Sequence, residues 1–174
     1  MPDNIQLTHA DHQPSQHRFP LSIIASDISS PQNVGSLFRL CDALGIEKLF
    51  LCGNTAAPPN SKINKTSRST EKYVAFEQHE DAVALVSALK KTDALIIALE
   101  ITSSSIAMAS PEFASALTSK KPVYLILGSE NAGISKNLLA LSDITVHIPM
   151  LGNNSSMNVI SAASIACYEI TKSI

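Results

Sequence analysis

The sequence predicts an α/β protein with a mainly parallel sheet and helices on both faces. The first observation behind this prediction is alternation, because short β-rich apolar runs are separated by segments with helical periodicity. Strands that alternate with helices are typical of parallel sheets. The second observation is size: 174 residues, of which 45% are hydrophobic, suffice for one domain with a sizeable core.

Six apolar runs are the predicted strands, and in chain order they are "LSIIASD", "KLFLCG", "KYVAF", "ALIIALE", "PVYLILG" and "DITVHIP". The helical patterns begin near Asn33, Glu80, Pro111, Ser135 and Met157. Residues 1–18 contain little apolar sequence, so they are predicted to form a flexible N-terminal tail. The predicted domain then covers residues 19–174.

Composition argues against several classes of protein. The chain has no run of 18 apolar residues and its N-terminus is polar, so we expect neither a membrane span nor a secretory signal, and a cytoplasmic location. Cys41, Cys52 and Cys167 are widely spaced, which predicts buried apolar residues rather than a disulfide framework or a zinc site, and no metal is expected. A formal net charge of −2 provides no basic field over the whole protein.

The segment "NVGSLFRLCDALG" reads as an amphipathic helix. Its apolar stripe consists of Val34, Leu37, Phe38, Cys41 and Leu44. Arg39 projects from the other side, one turn after Gly35, and helical side chains lean toward the N-terminus. We therefore expect Arg39 to reach back over Gly35 toward the helix start, where anions are favoured. A solvated surface arginine is the alternative interpretation.

A second basic feature lies in "PPNSKINKTSRSTEKY". Four cations, Lys62, Lys65, Arg68 and Lys72, face one carboxylate, Glu71, which gives a local charge of +3. The composition is typical of a surface loop or short helix. Two interpretations stay open: a solvated charged loop, or a contact for the phosphates of a nucleic acid.

Three polar loops each follow a predicted strand and precede a helix: "SDISSPQNVG", "GSENAGIS" and "PMLGNNSSMN". Ligands of open parallel sheets bind beyond the carboxyl ends of the strands, so the three loops are expected to converge on one cleft. Glu130 in the second loop is either a helix cap or a site residue. The third loop offers amides and hydroxyls but no titratable group, and Ser155 or Ser156 is expected to cap the next helix.

The second loop is not a triphosphate-binding loop. Gly128 and Gly133 have the spacing of a P-loop, but Ile134 stands where a lysine would contact the phosphates. The sequence also lacks the G-x-G-x-x-G of dinucleotide-binding folds and the G-x-S-x-G of hydrolase nucleophile elbows.

Taken in order, the three loops resemble the SpoU or TrmH-like branch of the SPOUT RNA methyltransferases over residues 20–172. The first motif is similar to "NVGSLFR", with Asn33, Gly35 and Arg39. The second is similar to "LILGSENAGIS", with Gly128, Glu130 and Gly133. The third is similar to "IPMLGNNSSMNVISAA", with Ile148, Pro149, Met150, Ser156 and Asn158. Met157 stands where the family usually has leucine, which is a conservative exchange.

The resemblance implies a C-terminal trefoil knot, a homodimer and S-adenosylmethionine as methyl donor. The small residues of the last helix, from about Met157 to Lys172, suit a place in the dimer interface. By family correspondence the donor contacts the backbone near Leu99, Gly128, Ile148 and Met157, and Met150 adds to the apolar walls.

The implied reaction is methylation of a ribose 2′-hydroxyl in RNA, with tRNA favoured and rRNA as the alternative. Arg39 is then the central catalytic candidate, binding a phosphate and stabilising the developing alkoxide, because a guanidinium is almost always protonated and is a poor base. Asn33 and Glu130 would shape the site, while Ser156 and Asn158 would orient the ribose or hold the loop. Lys62, Lys65 and Arg68 are the expected RNA contacts.

Two other functions stay open at this point. The chain could be a catalytically silent RNA-binding protein on the same fold, or a small-molecule enzyme with the same donor pocket. The presence of Arg39, Glu130 and Asn158 together favours an active methyltransferase.

Overall fold

The computed structural model describes residues 4–174 and consists of a parallel sheet flanked by helices. In those residues the strands are β1 Phe19–Ser26, β2 Ile46–Cys52, β3 Phe76–His79, β4 Leu95–Leu99, β5 Ile106–Ala107, β6 Val123–Leu127 and β7 Ile144–His147. The helices are α1 Pro31–Leu44, α2 Ser61–Ser67, α3 Ala82–Leu89, α4 Pro111–Leu117, α5 Lys136–Leu141 and α6 Val159–Thr171. The strand order is β3-β2-β1-β6-β4-β7-β5, and every pairing is parallel.

Helices cover both faces of the sheet, as the sequence predicted. Successive residues of a strand point to opposite faces, so Ile23 and Ile24 in β1 belong to two different clusters of buried side chains. The cluster around Ile23 includes side chains from α1, α2, α4 and α6, and the cluster around Ile24 includes side chains from α3 and α5. Burial on both faces explains why the central strands β4 and β6 are almost continuously apolar.

The predicted and observed elements differ at two strands. β3 begins at Phe76, whereas the sequence predicted a strand over "KYVAF". The amides of Tyr73 and Val74 instead donate to the Thr70 carbonyl, in a turn that continues the chain beyond α2. β5 was not predicted, because two residues are too few to show a periodicity.

The predicted tail covers residues 1–18, of which residues 1–3 lie outside the described chain. Side chains from Asp11 to Arg18 are exposed, and β1 begins at Phe19. The flexibility of this segment stays a prediction.

The three cysteines are buried, as predicted, and none forms a disulfide within residues 4–174. Burial raises the pKa of the Cys52 and Cys167 thiols to about 12. They therefore behave as small apolar residues of the core. No helix in the described part of the chain has both the length and the apolar character needed to cross a membrane.

The carboxyl ends of four adjacent strands, β1, β6, β4 and β7, meet at the middle of one edge of the sheet. α1 follows β1 there, with Ser30 as its N-cap and Pro31 in its first turn. The glycine-rich loop follows β6, and the polar loop before α6 follows β7. The fold therefore brings the three predicted loops to the same edge.

α1 packs closely against α2 at Gly35. A Cβ atom added to Gly35 would lie 2.8 Å from the Ile63 carbonyl oxygen and 2.8 Å from Thr66 Cβ. Glycine is therefore required at this position by helix packing, since any side chain would separate the two helices.

We predict that Gly35→Ala lowers the free energy of unfolding by about 1–2 kcal/mol, because overpacking against α2 outweighs the gain in helix propensity. Gly152→Ala is the matched control, since no atom lies within 4 Å of the added Cβ. The control should change stability by less than about 0.5 kcal/mol. Urea unfolding followed by circular dichroism measures both, and a Gly35→Ala protein at least as stable as the wild type would contradict the prediction.

Candidate active site

A cavity of about 480 Å³ opens at the carboxyl edge of the sheet, beyond β4, β6 and β7. All five residues predicted to contact the methyl donor line it: Leu99, Gly128, Ile148, Met150 and Met157. Its volume is within the range of small-molecule sites, and its walls combine apolar side chains with backbone groups.

The glycine-rich loop after β6 forms one side of this cavity as a tight turn. The Gly133 amide donates to the Ser129 carbonyl at 3.0 Å, and the Ala132 amide donates to Ser129 Oγ at 3.0 Å. A Cβ at Gly128 would overlap the Gly133 backbone, and Gly133 has a φ of +64°. The turn therefore depends on both glycines, one for close packing and one for its left-handed conformation.

Asn33 and Glu130 meet across the mouth of the site. Asn33 Nδ2 donates to Glu130 Oε1 at 2.6 Å, which joins the first turn of α1 to the glycine turn. Glu130 also lines the cavity. The alternative interpretation of Glu130 as a helix cap is wrong, because Ser135 caps α5 by accepting from the Leu138 amide.

Ser156 and Asn158 line the cavity from the loop before α6. Asn158 is the N-cap of α6, with Oδ1 accepting from the Ile160 amide at 2.9 Å. The expectation that Ser155 or Ser156 caps this helix is therefore wrong, because the amide side chain of Asn158 already occupies the capping position. Ser156 is exposed, so its hydroxyl is accessible from the cavity.

Arg39 lies on the exposed surface of α1 and is not among the residues that line the cavity. Within residues 4–174 its side chain has no hydrogen-bond or ion-pair partner. The space over Gly35 is occupied by Ile63 and Thr66 of α2, and the reach of Arg39 toward the start of α1 stays a prediction. Gly35 and Arg39 are one helical turn apart, so Arg39 projects on the side of α1 that faces α2.

Lys62 and Lys65 on α2, and Arg68 at its C-cap, are exposed, and α2 is the short helix that was one of the two forms predicted for this segment. None of them forms an ion pair within the described residues. The neighbouring Glu71 instead accepts hydrogen bonds from Asn64 at 2.7 Å and from Ser67. Arg39 and these three residues of α2 are called the basic surface below.

Sequence reasoning missed two polar residues of the cavity, Glu100 and His147. His147, the last residue of β7, lines the cavity, with Nδ1 3.0 Å from Ser105 Oγ. Glu100 directly follows β4 and accepts hydrogen bonds from two backbone amides. The signal for Glu100 was its place at the carboxyl end of a strand, the same rule that located the three loops.

The sheet order, the glycine turn and the cavity closed by the loop before α6 are those of the knotted α/β methyltransferase domains. Within that class, the chain belongs to the SpoU rRNA Methylase family, whose model matches residues 20–168. This match confirms the resemblance found in the three motifs.

A curated relative and two solved structures agree with this assignment. The tRNA (guanosine(18)-2'-O)-methyltransferase of Thermus thermophilus is 28% identical over 149 residues, which cover 86% of this chain and 73% of the relative. The SpoU methyltransferase AviRb from Streptomyces viridochromogenes, solved in complex with the cofactor AdoMet, has a TM-score of 0.74 at 24% identity, with 91% of this chain and 62% of AviRb covered. This chain thus spans about three fifths of the length of AviRb.

The second solved structure is described as giving structural insights into the 2-OH methylation of C/U34 on tRNA. It has a TM-score of 0.74 at 24% identity, and the match covers 89% of this chain and 97% of that chain. At these identities the structural matches establish the fold, including the C-terminal trefoil knot that the sequence resemblance implied.

Proposed function

We propose that this protein transfers a methyl group from S-adenosylmethionine to a ribose 2′-hydroxyl of RNA. The observation that carries the proposal is the cavity at the carboxyl edge of the sheet, where the loops after β6 and β7 converge and where Asn33 of α1 reaches the second loop. Membership of the SpoU rRNA Methylase family supplies the reaction class. The proposed catalytic domain is residues 19–174, and the proposed location is the cytoplasm.

The residues of the cavity fit the proposed donor. Leu99, Ile148 and Met157 provide apolar walls suited to an adenine ring, and Gly128 leaves the backbone accessible. The lining includes the carboxylates of Glu100 and Glu130 but no lysine or arginine, and all of it lies within the described chain. A cavity with this charge suits a ligand that carries a positive sulfonium.

In the proposed reaction the ribose 2′-oxygen forms a bond to the methyl carbon, the carbon–sulfur bond of the donor breaks, and the hydroxyl proton is released. The bound donor supplies an activated methyl group, so this chain's own residues have to align the ribose and stabilise the developing alkoxide. We assign two roles to Arg39: it binds an RNA phosphate and stabilises the developing alkoxide. Its guanidinium has no protein partner within the described residues. In this proposal Ser156 orients the ribose, and the hydrogen-bonded pair of Asn33 and Glu130 shapes the site.

The proposed substrate class within RNA is tRNA, with rRNA as the alternative. The descriptions of the Thermus thermophilus relative and of the C/U34 structure both name tRNA as the RNA that is methylated. The basic surface is the proposed contact for the RNA backbone, because its cations have no anionic partner within residues 4–174.

A methyl-transfer assay tests the proposed function. The purified protein is incubated with methyl-labelled S-adenosylmethionine and total RNA, and the RNA is digested to nucleosides. The expected result is label in 2′-O-methyl nucleosides. Donor binding without transfer would instead support a silent RNA-binding protein, and label in a base or a small molecule would reject the ribose assignment.

We predict that Arg39→Ala reduces methyl transfer at least about a hundredfold, the effect of losing a positioned catalytic group. Arg39→Lys should restore little, since lysine lacks the planar fork of arginine. Donor affinity, measured by calorimetry, should stay near that of the wild type, because Arg39 does not line the cavity. Wild-type transfer by a folded Arg39→Ala protein would show that Arg39 is a solvated surface residue.

Replacement of Lys62, Lys65 and Arg68 by alanine should weaken RNA binding and reduce its salt dependence, because fewer counterions are released. The control replaces Lys91, Lys120 and Lys121, which precede β4 and β6 at the other end of the sheet, and it removes the same three positive charges; of these lysines, Lys121 pairs with Asp93. Filter binding at several salt concentrations measures both proteins. Equal affinities and salt slopes for the two triple variants would identify the α2 cations as an ordinary solvated helix surface.

We propose a homodimer in which α6 contributes to the interface. The inner side of α6 is packed into the core through Ala163, Ala166, Cys167 and Ile170. Its outer side leaves Ile165 43% exposed and Tyr168 55% exposed, and these two residues are neighbours on the helix. Exposed apolar side chains beside small residues are suited to a second copy of the chain.

The expected result in light scattering at micromolar concentration is the mass of a dimer. Ile165→Glu with Tyr168→Glu should shift it to the mass of a monomer, because charges in an apolar interface are unfavourable. Tyr73→Glu is the control, since Tyr73 is 73% exposed on a different part of the surface. A monomeric wild type would contradict the proposal.

A further inference from the structure

Glu100 connects the end of β4 to the glycine turn on the other side of the cavity. Its Oε2 accepts a hydrogen bond from the Ile134 amide at 3.0 Å, and its Oε1 accepts one from the Ile101 amide at 3.0 Å. The Glu100 amide donates to the Val146 carbonyl at 2.9 Å, which fixes the start of the side chain to the sheet. One carboxylate therefore joins segments that are 34 positions apart in the sequence.

Gly133 and Glu100 depend on each other. The carboxylate lies against the Cα of Gly133, where a Cβ would overlap Oε2. Gly133 has a φ of +64°, so glycine is favoured there on conformational grounds as well. An added methyl group would displace the end of the glutamate side chain and weaken its bond to Ile134.

The glycine turn is thus held at two points by acidic side chains. Glu130 at its tip is hydrogen-bonded to Asn33 of α1, and Ile134 at its end is hydrogen-bonded to Glu100, the residue after β4. The backbone of Gly128, just before the first point, and of Gly133, between the two points, borders the cavity. Hydrogen bonds to a charged acceptor are among the stronger ones in proteins, so loss of the Glu100 bond would let this wall move.

We propose that Glu100 is a positioning residue for methyl-donor binding, acting through the glycine turn Gly128–Ile134. Both carboxylate oxygens already accept hydrogen bonds from backbone amides. We therefore attribute the effect of Glu100 on donor affinity to the position of the turn and not to direct contact with the donor. The inference rests on the proposed function, since it takes the cavity as the donor site.

The test compares Glu100→Gln, Glu100→Asp and Gly133→Ala. Calorimetry measures the dissociation constants of S-adenosylmethionine and of its neutral product S-adenosylhomocysteine. We expect Glu100→Gln to weaken both ligands by about fivefold to tenfold, because its one uncharged carbonyl oxygen cannot accept from both amides and its NH2 group faces a donor. Glu100→Asp should weaken them similarly, because its carboxylate is one methylene too short to reach Ile134. The KM for the donor should rise while the KM for RNA does not.

Gly133→Ala should mimic the Glu100 variants, and the double variant Glu100→Gln with Gly133→Ala should bind no more weakly than the weaker of the two single variants. Glu112→Gln, at an exposed glutamate on α4, is the control and should bind both ligands normally. Additive losses of affinity in the double variant would overturn the proposal. So would a loss of affinity that is confined to the charged donor and is restored in Glu100→Asp.

Amide hydrogen exchange provides a readout that needs no ligand. The Ile134 amide should exchange faster in Glu100→Gln than in the wild type, while buried sheet amides such as that of Leu125 stay protected. Unchanged exchange at Ile134 would overturn the proposal. If the wild type bound neither ligand while Ile134 still responded, the proposed function would fail and the structural link would stand.

Discussion

The parallel direction of all strand pairings is the constraint on which the site depends. Because β1, β6, β4 and β7 are adjacent and run the same way, the loops that follow them share one edge. The strands are buried on both faces, so polar chemistry is confined to their ends. The proposed donor cavity lies there, and distant parts of the sequence contribute to it, from Leu99 through Gly128 to Ala162.

The pattern of neighbouring residues predicted the secondary structure and the loops at this edge of the sheet. Helix packing and the partners of single side chains depend on contacts between distant segments, which the pattern does not show. Most of the strands, the three loops and the motifs of the family are visible in residue order alone, whereas β5 and the bounds of β3 are not. The packing of α2 on Gly35 is not, because nothing near Gly35 in the sequence specifies which helix covers it. The role of Glu100 was hidden for the same reason, since its partner Ile134 lies in another loop. The cap of α6 was assigned to a serine because serine and asparagine are nearly equivalent at that position.

α1 links the two chemically different parts of the proposed site. Through Asn33 it contacts the glycine turn of the cavity, where the methyl donor binds in our proposal. Through Gly35 it contacts α2, and Arg39 lies beside the cations of the basic surface. Donor and RNA would therefore meet along one helix, with the anionic substrate on its basic side.

The pairing of β1 with β6 has a consequence for how the chain reaches this structure. Leu21 lies opposite Val123, so the centre of the sheet joins segments about 100 positions apart. During synthesis β1 can pair with β2 but must wait for most of the chain before its other edge is covered. Sheets dominated by such distant pairings fold slowly, and their uncovered edges are open to association with other chains. The same connectivity that assembles the cavity thus leaves one edge of the central strand β1 uncovered until β6 has been made.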